Sequence, residues 1–552
     1  MLLTTLRRLL GLGLLPFSLC AHAAPLAGGL PAEGAPLHAG QEIEDRLESK
    51  QRRAHALQLS PGDYVRGQLE GKGMRLLLTD AAGERLRVLG EGKDASQDFM
   101  FVAGDAPPYK LEVRAPQAGG YRLQITEIVP RARQLLPAAV PDSPRLRALQ
   151  AELGRGGNSD AFWHELAQAG TPLVERAGVT PPLAQGELLV TFLWRGARDN
   201  VRLFGAPSGD HDELQRLDGS DVWFRSYRLP DSSRLGYKLA PDVPTLNAPA
   251  PTRRRAILAT AQRDPLNARS FPASPADRYA GESILELPAA PPQRWTAARP
   301  GVAPGTLETL TLESRILGNT REVHFYRPAG YRPGADGNAL LVLFDAHAYL
   351  HEVPTPTILD NLIAAGAIPP TAAILLANPT REARGSERPP NPGLVRFLAG
   401  ELMPWAAAHG LAAPAERTVI AGSSYGGLAA AYAGLRHPEL FGKVYSQSGS
   451  FWWSPGSGPG VTGEEPGWLM RQYAAAERKP LTFLIEAGLF EASRTGQTGI
   501  LESSRHMRDV LRAKGYPVSY KEYAAGHDYL HWRGTLGEGL ITLLGKGEGQ
   551  AQ

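Results

Sequence analysis

The spacing of apolar residues changes twice along this chain. From about residue 41 to 130 they come in short alternating runs, such as Tyr64-Val65-Arg66-Gly67-Gln68-Leu69 and Met74-Arg75-Leu76-Leu77-Leu78, divided by turn clusters at Asp80-Ala81-Ala82-Gly83 and Gly119-Gly120. Period-two alternation broken by regular turn signals predicts a small antiparallel β-sandwich. Residues 131–145, rich in Pro, Ala and Arg, fit a linker. A second module over 140–285 begins with helical spacing at 144–153 and around Phe162, Trp163 and Leu166, then turns to strands at 188–194, 201–204 and 222–229. Its β pattern fades near Leu239 into a Pro/Arg-rich connector that contains Asp264-Pro265-Leu266-Asn267. Trp194, Trp223 and Tyr227 stand on its strands, where aromatics more often fill a core than face a ligand.

From Leu307 the rhythm becomes strand, helix, strand. The runs 339–344 and 372–376 are unbroken apolar stretches, as expected of strands buried on both faces. Asn391-Pro392 supplies a helix cap and a first-turn proline, and Gly515 with Pro517 stops a helix ending at Lys514. Further strands are predicted at 443–446, 481–486 and 518–523. The alternation over 300–545 implies a mostly parallel, doubly wound sheet, so the fold class is α/β: an α/β-hydrolase preceded by two β-rich, sandwich-like domains. Such sheets bind ligands at the carboxyl ends of their strands.

One strand end carries the candidate chemistry. The run 417–421 leads directly into Gly422-Ser423-Ser424-Tyr425-Gly426 and then into an Ala-rich helix with Leu428, Tyr432 and Leu435 on one face. A strand that reverses into a helix within two residues needs glycines where side chains would clash, and leaves the central serine, Ser424, above the sheet edge. Ser423 is one place early for that frame. A serine hydroxyl needs a base for its proton and donors for the charge that develops on the carbonyl oxygen. His527, in Ala525-Gly526-His527-Asp528-Tyr529 just past the last predicted strand, is the candidate base; His437 and His506 lie on or beside helices and fit surface positions. The orienting acid should follow the strand 481–486: Glu491 is the first choice and Glu486 the reserve, with a Ser-His pair alone also open. Backbone N–H groups of Tyr425 and of Ala346, after the strand ending at Phe344, are the expected oxyanion donors. Asp345 precedes the elbow in sequence, which suits a turn-stabilising role better than that of triad acid.

Length and composition add limits. At 552 residues the chain is too long for one core, and about three domains are expected. Arg7-Arg8, an apolar stretch at 9–19 and Ala21-His22-Ala23 have the form of a secretory signal cleaved after Ala23, which places the mature protein in the periplasm. The stretch is short for a bilayer span, so no membrane insertion of the mature chain is expected. Cys20 opens a lipoprotein alternative that the bulky Leu19 disfavours. Removing the signal takes two of the 59 cations, leaving 57 against 56 acids, a balance that gives no support for a nucleic-acid partner. Cys20 is the only cysteine, which excludes disulfides, thiolate catalysis and cysteine-rich metal sites from the mature chain. No resident metal or cofactor is expected.

Several motifs together, GSSYGGLAAAYAGLRHPELFGKVYSQSGSFWWSP, EAGLFE, GYPVSYKEYAAGHDYLHWRGTL and VPTPTILDNLI, resemble the enterochelin (enterobactin) esterases, and FWHELAQAGTPLVE, VTFLWRG and DVWFRSYRLP resemble the amino-terminal domain of the same family. The resemblance spans about residues 140 to 545. It implies hydrolysis of the serine trilactone of a catecholate siderophore, with Ser424 as nucleophile, His527 as base and iron present only as part of the substrate. This chain departs from the family in reading Asp345-Ala346-His347 where Asp-Gly is usual, in a basic segment, Arg384 to Arg388, that only approximates the family's, and in its export signal and front domain. A trianionic aromatic substrate calls for cations and π-faces, and Arg384, Arg388, Arg533, Phe451, Trp452 and Trp453 stand in motifs able to supply them. The rival readings are a broader carboxylesterase or acyltransferase of the esterase-D-like group, and a non-catalytic siderophore-binding protein. The oligomeric state is not legible.

Overall fold

The computed structural model describes residues 35–545 apart from 93, 106–107, 135–140, 210, 458–464, 466 and 494–497. The expected export signal, with Cys20 and the Ala23 cleavage point, and the centre of the 131–145 linker lie outside the described residues.

In the amino-terminal unit, eight strands form two four-stranded sheets. One runs in the order Glu42–Leu47, Gly119–Val129, Tyr64–Glu70, Ser96–Val102; the other Arg52–Leu57, Tyr109–Arg114, Arg75–Thr79, Arg85–Gly90. Alternation explains the layering. Along Gly119–Val129 the buried residues are Tyr121, Leu123, Ile125 and Val129, with Arg122 exposed between the first two and Thr126 exposed after the third. The sheets touch where His55 Nε2 and the Tyr121 hydroxyl hydrogen-bond at 2.8 Å.

The second module is one eight-stranded antiparallel sheet in the order Ser270–Phe271, Glu282–Glu286, Arg234–Pro241, Val201–Gly205, Glu213–Arg216, Val222–Pro230, Glu187–Arg195, Leu173–Glu175. Helices Pro144–Gly154 and Asp160–Ala169 bury Leu146, Leu149, Phe162, Trp163 and Leu166 against Leu193, Val222 and Phe224 of this sheet. The stretch after Leu239 is a correction to the sequence reading. It is not a bare connector: a helix, Ala250–Thr260, and two closing strands extend the same sheet. Two strands of two and five residues leave too short a pattern to be seen in sequence.

The carboxyl-terminal sheet positions the site. Its strands are β1 (Thr306–Ser314), β2 (Asn319–Arg327), β3 (Ala339–Phe344), β4 (Thr371–Leu376), β5 (Thr418–Ser423), β6 (Lys443–Gln447), β7 (Thr482–Gly488) and β8 (Val518–Tyr523), in the order β1-β2-β4-β3-β5-β6-β7-β8. The pairs from β4 to β8 are parallel, whereas β1 and β2 form an antiparallel edge that the expected strand-helix-strand rhythm did not include. The apolar runs are explained by two cores. Leu340, Val342 and Phe344 of β3 face a layer containing the helices with Leu394, Leu428 and Met507; Ala339, Leu341 and Leu343 face the layer with Ile358 and Leu540. Every β3 side chain is therefore buried, and no polar alternation is possible. Among the described residues no helix is long and apolar enough to cross a membrane.

Candidate active site

β5 ends in the turn that the glycines predict. Ser424 has φ 58° and ψ −121°, a conformation that L-residues rarely adopt and that clusters at functional sites. What permits it is close packing beneath: a Cβ on Gly422 would stand 2.7 Å from the backbone of Gly426. The turn is tied to the neighbouring strand by Ser424 N–H donating to the Gln447 carbonyl at 3.0 Å, and it opens helix α1 (Tyr425–Arg436). Ser424 is partly exposed, while Ser423 beside it is wholly buried.

The candidate acid and the candidate base, Glu491 and His527, lie just past the ends of β7 and β8. His527 Nδ1 donates to Glu491 Oε1 at 2.5 Å. The Glu491 side chain is 2 % exposed, and its second oxygen accepts from Gly488 N–H at 2.6 Å and from Ser448 Oγ at 2.8 Å. With both oxygens engaged, the carboxylate holds the imidazole in one tautomer, Nδ1–H, and leaves Nε2 free to take a proton. The Trp532 ring stands edge-on to His527 at 4.8 Å, and its indole N–H donates to Ser448 Oγ at 3.2 Å. Among the described residues the Ser424 hydroxyl meets Ser450 Oγ at 3.3 Å and not the imidazole. Catalytic hydrogen bonds commonly tighten only once substrate is bound.

Glu486, the reserve acid, occupies a different place. It lies within β7, 1 % exposed, and accepts from the Tyr445 hydroxyl, Gln447 Nε2 and Thr535 Oγ1 at 3.0, 3.1 and 2.5 Å. Burial pushes its carboxyl up to about 7 despite those donors. No described contact joins it to His527.

The turn after β3 supplies the other side. Asp345 adopts a left-handed conformation, φ 60° and ψ 48°, and is followed by Ala346 at the start of a short helix, Ala346–His351. Tyr425 and Ala346 are thus both first residues of helices, where backbone N–H groups have no partner in their own helix. The two turns abut: a Cβ on Gly426 would stand 3.4 Å from Asp345 Oδ2 and 3.5 Å from Phe344 Cβ. Asp345 accepts a two-pronged bond from Arg384 (3.0 and 2.9 Å) and one from Asn378 (2.7 Å). Burial pushes its carboxyl up, but Arg384, Arg388 and Asn378 together outweigh burial and hold it below the ordinary value.

The proposed substrate contacts divide. Arg384 is partly exposed but already committed to Asp345. Arg388 and Phe451 are corrections: both are wholly buried and present no surface to a ligand. Arg388 lies 4.5 Å above the Phe344 ring, donates to Asn378 Oδ1 at 2.6 Å, and is lowered by burial to about 10. Phe451 belongs to the core beneath the elbow. Trp452 packs near Tyr425 at 6.1 Å, Trp453 against Trp468 at 5.8 Å, and Arg533 over Phe271 of the second module at 5.5 Å. On that module Trp223 is buried, Tyr227 donates to Asp212 at 2.7 Å and Trp194 lines a surface cavity. His437 pairs with Glu439, and His506 is exposed on its helix. Ser448 and Trp532 went unseen in the sequence. The one available signal was the glycine between two serines in Ser448-Gly449-Ser450, at the end of a strand next to the elbow.

A serine on a strained turn, an imidazole held by a carboxylate and two helix-start amides at one sheet edge are the groups that nucleophilic acyl transfer requires. Among the described residues, no three or more His, Cys, Asp or Glu are grouped to hold a metal ion.

Comparison with known proteins bears on this site. Residues 189–296 match the family described as enterochelin esterase, N-terminal, and residues 314–543 the family described as putative esterase. The iron(III) enterobactin esterase of Dickeya dadantii is 32% identical over 436 residues, covering 71% of this chain and 94% of that protein. The iron(III) salmochelin esterase of Escherichia coli O6:H1 is 30% identical, covering 72% and 96%. Among solved structures, ferric enterobactin esterase from Salmonella typhimurium superposes with a TM-score of 0.56 at 28% identity, over 70% of this chain and 98% of that one. Enterobactin esterase from Shigella flexneri, crystallised in the presence of enterobactin, gives 0.54 at 28%, with the same coverage.

Proposed function

The chain belongs to the enterochelin esterase family and is a carboxylic ester hydrolase, and on that premise we propose that it is a periplasmic serine esterase that opens the trilactone of enterobactin-type catecholate siderophores for iron acquisition. The observation that carries the mechanism is the 2.5 Å bond from His527 to Glu491 at the same end of the sheet as Ser424. In this reading the carboxyl-terminal sheet is an α/β-hydrolase, residues 140–285 form its family-specific partner module, and 41–130 are an accessory domain.

Ser424 Oγ attacks a lactone carbonyl while His527 Nε2 takes its proton. The oxyanion is received by the N–H groups of Tyr425 and Ala346. Collapse of the tetrahedral adduct expels the serine alkoxide of the lactone, which His527 protonates, and water then releases the acyl group by the same steps in reverse. Glu491 fixes the imidazole and stabilises its cation without itself taking the proton. Iron enters only as part of the substrate.

Export rests on the amino-terminal pattern, and cell fractionation with amino-terminal sequencing tests it. The substrate is tested by mass spectrometry of products from iron-loaded and iron-free enterobactin. The proposal expects stepwise opening to linear trimer and smaller fragments by the wild type and none by Ser424→Ala. The burial of Arg388 and Phe451 and the commitment of Arg384 favour a second reading, a broader carboxylesterase, which predicts faster turnover of simple aryl esters than of the trilactone.

A further inference from the structure

A second cavity, of about 540 Å³, lies against the loop that carries the base. Its wall includes Ala524 and Ala525, immediately before Gly526-His527, while Ser424, Tyr425, Glu491 and His527 do not line it. Its other side is the second module, which contributes Arg234, and the segment after it, which contributes Pro291, Pro292 and Arg294.

The charges in the wall are unevenly committed. Glu522 is held by Arg505 through two bonds of 2.7 Å, and Glu538 accepts from the Trp295 indole at 3.0 Å. Arg234 is buried and paired with Glu286. Lys521 and the Arg294 side chain have no hydrogen-bond or ion-pair partner among the described residues. Deeper in, His531 is 5 % exposed and its Nε2 has no partner. Burial, with Arg234 nearby, lowers that imidazole to about 3, so it stays neutral and acts as a hydrogen-bonding group rather than a cation. A buried ring nitrogen with no partner is uncommon and points to a group that belongs there. The Tyr523 ring, tilted against His531 at 4.8 Å, and the two prolines give a flat apolar wall beside these polar atoms.

We propose that this cavity binds an aromatic carboxylate, its acid group between Lys521, Arg294 and the His531 N–H and its ring along Tyr523 and the prolines. Ester hydrolysis releases a carboxylate at every turnover, so the ligand class includes the enzyme's own product; that link rests on the proposed function. The site is coupled to the base through its own wall: the Ala525 carbonyl accepts from Phe490 N–H, one residue before Glu491, and Ala525 stands two residues before His527. A bound carboxylate therefore changes kcat and does not compete with the ester at Ser424.

Calorimetry on the full mature chain with N-benzoyl-serine and its neutral analogue N-benzoyl-serinamide tests the site without any turnover. The carboxylate is expected to bind about tenfold more tightly than the amide, as one or two charge-assisted bonds require. R294Q/K521Q should lose that preference, K521Q alone should lose part of it, and both should hydrolyse 4-nitrophenyl acetate at the wild-type rate. Saturating N-benzoyl-serine should alter kcat for that ester with KM unchanged. Equal affinity for acid and amide, a preference retained in R294Q/K521Q, or an effect on KM alone would overturn the proposal. Binding with the expected preference in a chain that fails to open the trilactone would leave the cavity standing and remove the substrate assignment.

Discussion

In the amino-terminal sandwich Arg122 shares its charge among Glu42, Glu44 and Glu70 on the surface of one sheet, with every partner in water. In the carboxyl-terminal sheet the notable carboxylates have almost no exposure: Asp345 and Glu491 stand just past strand ends and Glu486 within β7. Exposed pairs contribute little because water solvates both ions whether or not they meet. A buried carboxylate must instead be matched by donors or cations, or be held protonated, and each of the three uses a different means: Asp345 two arginines, Glu486 three neutral donors and a raised pKa, Glu491 an imidazole. Costly groups gathered near the carboxyl ends of these strands therefore mark a candidate site, which the more numerous surface pairs do not.

The largest expected effect separates the two glutamates of β7 and the turn after it. Glu491→Ala should lower kcat/KM for a simple ester by roughly 10²–10⁴, as loss of an orienting acid does, with Glu486→Gln staying within about tenfold of wild type. A reversal of the two would make Glu486 the acid. Next comes Asp345→Ala, which leaves Arg384 and Arg388 without their counter-charge and should lower unfolding free energy by about 4 kcal/mol in a denaturant titration.

Glu486 should show itself in pH dependence. Its folded pKa of about 7 lies above the unfolded 4.5, so between these values the folded state binds the extra proton, and stability falls as pH rises through that window. The fall is up to about 3 kcal/mol and is complete above pH 7. Glu486→Gln should flatten that slope in denaturant midpoints measured across the window. At the small end, Arg122→Ala should leave the midpoint within error of wild type. A marked loss there would break the contrast between surface and buried charge.

How much of this was legible in the sequence follows from how local each signal is. The span of β3 is visible because burial on both faces leaves an unbroken apolar run, and the place of Ser424 because a tight turn demands glycines within two residues of it. Ser448 and Trp532 are 84 residues apart and meet only in the folded sheet, so no spacing announces them. The burial of Arg388 depends on Phe344 and Asn378, which lie on other elements, and an arginine in a polar segment looks solvated until those partners are placed. That β1 and β2 join the main sheet as an antiparallel edge was not legible, because they pair locally with each other and the strand they attach to, β4, comes some 50 residues later.

The claim that Ser424 is the nucleophile worked by His527 and Glu491 is tested most directly by labelling the purified protein with a serine-directed phosphonate and mapping the modified peptide. The account predicts one label, on Ser424, formed within about tenfold of the wild-type rate in Glu486→Gln, slowed strongly in His527→Ala and Glu491→Ala, and absent from Ser424→Ala together with ester turnover. A label on Ser423, Ser448 or Ser450, or full turnover by Ser424→Ala, would contradict it.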